Sequence, residues 1–395
     1  MQIQEPHQSS RFALFNLGFR PFFLFAAISA LLLMVHWLML LGSGQATYSY
    51  YQASQLWHGH EMLFAYAVAV ISGFLLTAVR NWTSIQTPFG VKLAGLFLLW
   101  LAGRLLPVIS AFVVPLPAPL IALTDLMFLP LVALSIGLPI IRSGNYKNLI
   151  FTLILLIMSI ANLLIHLQLT GLTEATLASG MQLELGLILL VMIIMGGRVI
   201  PFFTERALAF EARRFKLLEF AVIPLAVSWL VADIGQFQPV VTWLAAANAM
   251  LHFIRLAGWF RARMVRNPLI WILHVAYLFI PLGFALDALS SITPLSPYLS
   301  THAFAAGAIG SMTLGMMARV ALGHTARPLK LARITVVAFA VMIAAGVIRV
   351  FLPMIPELYT TAIHLSGGLW IIAWGLFLIP YTPILLQPRL DGQLG

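Results

Sequence analysis

The sequence predicts an all-α polytopic membrane bundle of twelve transmembrane helices, and three observations carry that reading. Of the 395 residues, 61% are hydrophobic and only 9% charged, well beyond the near-half apolar share of soluble domains. Apolar runs of about 20 residues recur from end to end, each long enough at ~1.5 Å per residue to cross a ~30 Å hydrocarbon core. Lysine and arginine then sort by loop parity, as they do in a chain that crosses a bilayer repeatedly.

The first run, near 19–41, is too long for the apolar part of a signal peptide and no small-residue cleavage site follows it, so it reads as a retained helix. The others lie near 58–79, 91–113, 118–141, 148–170, 177–200, 217–235, 239–262, 268–290, 300–323, 332–352 and 358–382. Arg11 and Arg20 precede span 1, Arg80 and Lys92 lie between spans 2 and 3, and Arg142 and Lys147 follow span 4. Arg206, Arg213, Arg214 and Lys216 follow span 6, Arg255, Arg261, Arg263 and Arg266 flank the 8/9 turn, Arg327, Lys330 and Arg333 follow span 10, and Arg389 ends the chain. Loops of the other parity have almost none, which places both termini in the cytoplasm and loops 42–57, 171–176, 236–238 and 291–299 outside. Tyr48-Ser49-Tyr50-Tyr51, running on to Trp57, reads as an interfacial aromatic belt. Because the basic residues fall between spans rather than in one stripe, the net charge of +10 reports topology and not nucleic-acid binding.

The chain reads as a single twelve-span membrane domain, 1–395, with a weak internal repeat. The inner ends of spans 2, 6 and 10 align at Arg80-Asn81-Trp82-Thr83, Arg198 to Thr204 and Arg319 to Thr325, with the threonines 121 residues apart twice. Three four-helix units, 14–145, 146–265 and 266–390, would follow.

With no cysteine the chain has no disulfide, no thiolate-held cluster and no C-x-x-C-H attachment, so any haem is held non-covalently. Nine of the ten histidines lie in or at the ends of spans, where an imidazole faces either a helix-to-helix hydrogen bond or a functional partner. His36, His58, His60, His166, His302 and His364 fall towards the outer side, the depth of a metal site if imidazoles there ligate copper or haem iron. His58 and His60 stand two residues apart and so point to nearly opposite faces of a helix. Either they serve two sites or Gly59 lets the chain unwind there. His252 and His274 each lie 11 residues from Arg263, which puts them at one depth in an antiparallel hairpin and suits two ligands of one metal or haem. Arg255, one turn nearer the cytoplasm, would meet a haem propionate or lipid phosphate. His324 marks the inner end of span 10, beside Arg319 and Arg327. Arg104 lies towards the outer side with seven of the twelve acids, so it either pairs with an acid such as Asp125 or binds a cofactor. Met312, Met316 and Met317 are placed as packing or as soft ligands, and no Walker motif, G-x-G-x-x-G or hydrolase triad is present.

Several motifs agree in order and spacing with one family. Leu17-Gly18-Phe19-Arg20-Pro21-Phe22-Phe23, Trp57-His58-Gly59-His60-Glu61-Met62, Gly73 to Ala78 with Asn81-Trp82-Thr83, Trp100 to Arg104, Gly196-Gly197-Arg198 with Pro201, Leu251-His252 with Arg255, Pro268-Leu269 with Leu273-His274 and Tyr277, and Leu322-Gly323-His324-Thr325 closely resemble the NnrS family. The resemblance covers about Leu14 to Arg389. It implies a bacterial inner-membrane protein of twelve spans that contains haem b and copper and gives tolerance to nitric oxide in denitrification and nitrosative stress. His58, His60, Glu61, His252, His274, His302 and His324 fall on its motif positions; His36 and His364 do not. The family often has alanine where Gly59 stands.

Twelve helices with a threefold repeat are also similar to haem-copper oxidases and nitric-oxide reductases, in which histidines on helices 2 and 10 hold a haem. This chain departs from them: spans 6 and 7 contain no histidine, and span 10 has no His-x-His. The resulting expectation is a haem-copper protein that binds nitric oxide, with or without reducing it as a nitric-oxide reductase-like oxidoreductase. Metal or haem would be held by His58, His60, His302, His252, His274 and His324, with Arg104 and Arg255 at the cofactor and Glu61 delivering protons or orienting an imidazole. Partners would be nitric oxide, membrane lipids and an electron donor, a quinol or a redox protein. The alternative is a transporter or signalling subunit of the nitric-oxide response without redox chemistry.

Overall fold

Twelve helices long and apolar enough to cross a membrane make up the computed structural model, which describes residues 12–43 and 50–393. They are α1 (Phe19–Gly42), α2 (Ser54–Thr83), α3 (Gly90–Phe112), α4 (Ala118–Arg142), α5 (Tyr146–Leu169), α6 (Leu177–Leu208), α7 (Lys216–Ile234), α8 (Gln238–Trp259), α9 (Pro268–Ser290), α10 (Tyr298–His324), α11 (Arg333–Met354) and α12 (Pro356–Leu386). No strand occurs among the described residues. The all-helical, multi-pass class and the count of twelve are those the hydropathy predicts. Arg11, Tyr48 and Ser49, used in that reading, lie outside the described residues.

Hydropathy does not report burial. The apolar window of α2 is 89% buried and those of α6, α9 and α10 are 72% buried, against 28% for α1, α3 and α7. A helix that is apolar all round can face lipid on one side, so composition alone cannot sort these classes.

The chain divides into two compact units. The first comprises 1–187, 317–330 and 378–395, and the second 188–316 and 331–377. Within the first, the Phe19 N–H donates to Thr77 Oγ1 at 3.0 Å, which ties the start of α1 to α2. Arg20, fully buried, donates through Nη1 to the Leu385 and Gln387 carbonyls at 2.8 and 2.7 Å. It satisfies carbonyls that the end of α12 cannot pair within itself.

Within the second unit, α8 and α9 form a hairpin closed by a 3₁₀ turn, Ala262–Arg266. Proline stands in the first turn of each, where the missing N–H has no helical partner to lose. Asn267 caps α9 by accepting the Leu269 N–H at 3.2 Å.

Two helices widen into π turns directly after a histidine segment: α2 at Met62–Ala67, behind His58–Glu61, and α10 at Ala303–Ile309, behind His302. An extra residue in one turn rotates everything beyond it by about 100°, and such turns concentrate at functional sites.

Candidate metal centre

The sequence left two options for His58 and His60, and the helix decides between them. The backbone stays α-helical through Gly59, with no unwinding, and the two imidazoles leave on different faces. Gly59 serves a close approach instead, since a Cβ there would lie 2.6 Å from Met181 Cε on α6. His58 stacks on Trp37 of α1, with ring centroids 4.4 Å apart and planes within 14°. His36 meets the edge of Trp57 at 4.9 Å.

His60 turns inward, 1% exposed, into a polar cluster in the first unit. Its Nδ1 lies 3.0 Å from Glu61 Oε1 and 3.1 Å from the Tyr51 hydroxyl, and its Nε2 lies 3.2 Å from Asn162 Oδ1 and 3.4 Å from Asp125 Oδ2. Arg104 on α3 bridges the two acids, with Nη1 2.8 Å from Glu61 Oε1 and Nη2 bonded to Asp125 Oδ1. Glu61, Arg104, Asp125 and His60 therefore close into a ring in which carboxylates alternate with nitrogen-bearing side chains. The pairing of Arg104 with Asp125 that the sequence suggested is present, and it takes in Glu61 as well.

His166 on α5 completes the cluster. Its Nε2 stands 2.9 Å from Asp125 Oδ2 and its Nδ1 2.6 Å from the Tyr50 hydroxyl. Asn162, one turn earlier on the same face, donates to Asp125 Oδ2 at 3.3 Å. His60, Asp125 and His166 are all buried, and their ligand atoms lie within 4.8 Å of one another, a spacing that one metal ion spans. Each imidazole has its Nδ1 tied to a tyrosine and its Nε2 turned to the shared carboxylate. That is the arrangement in which partners behind a ligand fix ring orientation for a metal.

Tyr50 and Tyr51 are thus not an aromatic belt. Both are buried, at 7% and 1% exposed, because their hydroxyls find imidazole and carboxylate partners inside the protein. They precede α2, and burial pushes both phenols up, with the Glu61 carboxylate adding to the rise at Tyr51. Both remain protonated through the physiological range, and the Tyr51 hydroxyl donates to Glu61 Oε1 at 2.8 Å.

The other predicted site residues have partners of their own. His324, in the first unit, packs its ring 5.8 Å from Phe19. His302, in the second, turns Nδ1 to the Tyr298 carbonyl at 2.7 Å. His252 and His274 occupy the α8–α9 hairpin with different partners. His252 Nδ1 meets the Tyr277 hydroxyl at 2.8 Å and its ring stacks on Phe284, whereas His274 Nδ1 donates to the Ile270 carbonyl at 3.1 Å, with the Trp259 carbonyl also facing its ring. Equal offsets from the turn align the backbones of the two positions. Arg255 is engaged within the protein. It forks onto Glu219 at 2.9 and 2.5 Å and donates through Nη1 to the Tyr277 hydroxyl and the Ile193 carbonyl.

A profile of the NnrS protein family matches residues 13–389. The chain belongs to the NnrS family. No curated protein matches it. The NnrS motif segments quoted above contribute His60, Glu61 and Arg104 to the first-unit cluster, and His252, Arg255 and Tyr277 to the second-unit network. Sequence reasoning placed Asp125 only as a partner of Arg104 and His166 only by depth, and it missed Asn162, Glu219 and the role of Tyr50 and Tyr51. One signal was present. Asn162 and His166 stand four residues apart, a polar stripe on an otherwise apolar helix.

Proposed function

We propose that the protein is a bacterial inner-membrane haem-copper protein of the nitric-oxide response that binds nitric oxide, with copper held by His60, His166 and Asp125. The observation that supports this most directly is the convergence of two imidazole Nε2 atoms on one buried carboxylate, each ring oriented from behind by a tyrosine. Two imidazoles and a carboxylate suit Cu(II) better than Cu(I), which prefers sulfur. Bound copper supplies a cation that holds and polarises a small ligand.

The chain's own groups do the remaining work. Arg104 keeps both acids paired in a buried site. Asn162 orients Asp125. Glu61 Oε1, 3.0 Å from His60 Nδ1, is the near acceptor for an imidazole proton, which fits the proton-handling role expected of Glu61. For haem, the imidazole nitrogens that would be available in the second unit are His252 Nε2 and His274 Nε2, both buried without a hydrogen-bond partner.

Metal analysis and a visible spectrum of the purified protein test the reading. Copper and a Soret band are expected, with copper lost in His60→Ala and His166→Ala. A folded sample that is colourless and takes up no copper overturns it and leaves the transporter reading. One observation favours that second reading: Glu184 on α6 is fully buried and neither of its carboxylate oxygens has a partner, as in membrane proteins that carry protons or ions.

A further inference from the structure

Glu184, in the part of α6 that belongs to the first unit, is fully buried, and among the described residues neither of its carboxylate oxygens has a partner. Burial alone acts on the group, with no charged neighbour to offset it. A carboxylate ion cut off from water and counterion is too costly to keep, so the group takes up either a proton or a cation.

Two close contacts set its place. Gly180 shares a helix face with Glu184 and packs so tightly on α5 that a Cβ there would lie 2.7 Å from both the Ala161 carbonyl oxygen and Ile165 Cγ1. Next to it, Met181 Cε closes on Gly59 of α2. The helices that carry His60, Asn162 and His166 are thus clamped to α6 about one turn, ~5.4 Å along its axis, before Glu184. Being even-numbered crossings, α2 and α6 run the same way, so the π turn Met62–Ala67 follows the Gly59 contact as Glu184 follows the Met181 one. Widened turns of this kind gather at functional sites.

The surroundings decide between proton and cation. A divalent cation calls for about six oxygen ligands. Gly180, Met181 and Leu187, one turn either way on the face of Glu184, offer no side-chain oxygen, and among the described residues the carboxyl belongs to no cluster of histidines and acids at metal spacing. A proton needs neither a ligand shell nor a cavity. Once neutral, the carboxyl still calls for hydrogen-bond partners, and water that reaches it both pairs it and exchanges its proton.

We propose that Glu184 is a proton-binding site of the first unit, a neutral carboxyl group whose proton exchanges with water while the helices around it stay folded. This goes beyond the copper centre and holds with or without metal bound there. A site of this kind loads and releases protons for chemistry or transport inside the bilayer.

The test is infrared spectroscopy of the full-length protein in detergent. A protonated carboxyl group has a C=O stretching band apart from the amide and carboxylate bands, and this band should be present in the wild type and lost in Glu184→Gln. Glu184→Asp should move it, which assigns the band even where the glutamine variant does not fold. In heavy water the band should shift to lower wavenumber before the amide II band of the protected helices decays. Sodium, potassium or calcium should leave it unchanged. Absence of any band that depends on Glu184 overturns the inference. A band that shifts only as the helix amides exchange makes Glu184 a sealed packing residue and overturns it too, and loss of the band on adding one of the cations replaces the proton with that cation. Copper content of the same samples tests the copper reading separately.

Discussion

The Tyr50 hydroxyl sits 2.6 Å from His166 Nδ1, so a residue outside the membrane spans orients an imidazole inside one. Tyr51 does the same for His60 at 3.1 Å. Two consecutive residues thereby aim two imidazoles, carried by α2 and α5, at one oxygen of Asp125.

That relationship predicts that Tyr50→Phe and Tyr51→Phe each lower copper affinity by about 10–100-fold, the usual cost of removing a group that orients a metal ligand. Competition with a chelator of known affinity measures it. Wild-type affinity in both variants would show that the tyrosines only pack.

Arg104→Gln should destabilise the fold by roughly 3–5 kcal/mol, because it leaves Glu61 and Asp125 as buried charges without a counterion. Adding Glu61→Gln and Asp125→Asn to that variant should recover much of the loss. Thermal unfolding in detergent reads both, and a triple variant no more stable than the single one would count against the charge account.

His58→Ala and His60→Ala should behave differently although only Gly59 separates them. His60→Ala removes a nitrogen from the centre and should empty it of copper. His58→Ala removes a ring that stacks on Trp37 and should leave copper content unchanged. Copper-to-protein ratios of the two purified variants decide the matter, and equal losses would place both histidines in one site.

Alkaline pH gives a further expectation with a definite sign. The folded phenols of Tyr50 and Tyr51 are raised above the ordinary value near 10, so they stay protonated where unfolded tyrosines ionise. Above about pH 10 the native state then binds more protons than the unfolded one, and stability falls as pH rises. The Tyr50→Phe, Tyr51→Phe double variant should show a shallower decline in melting temperature between pH 9 and 11. An identical slope would exclude these two phenols as its source.

The basic-residue pattern predicts that reporter fusions at Gly44 and Ser296 give an external signal. A cytoplasmic signal at either would reverse the orientation.

Hydropathy and charge by themselves determined the class of this protein and its twelve membrane-length helices, because lipid penalises every unpaired polar backbone group and every stray charge alike along the chain. They also gave His60, Glu61 and Arg104 as candidates, and the pairing of Arg104 with Asp125. Which residues meet was another matter. The rotation of α2 turned His60 inward and His58 towards Trp37; the packing of α3, α4 and α5 brought Arg104, Asp125 and His166 to it; and His252 met Tyr277 while His274 met the Ile270 carbonyl. Helix rotation costs little in a uniform apolar solvent and leaves no trace in composition, so only close packing between helices could fix these contacts.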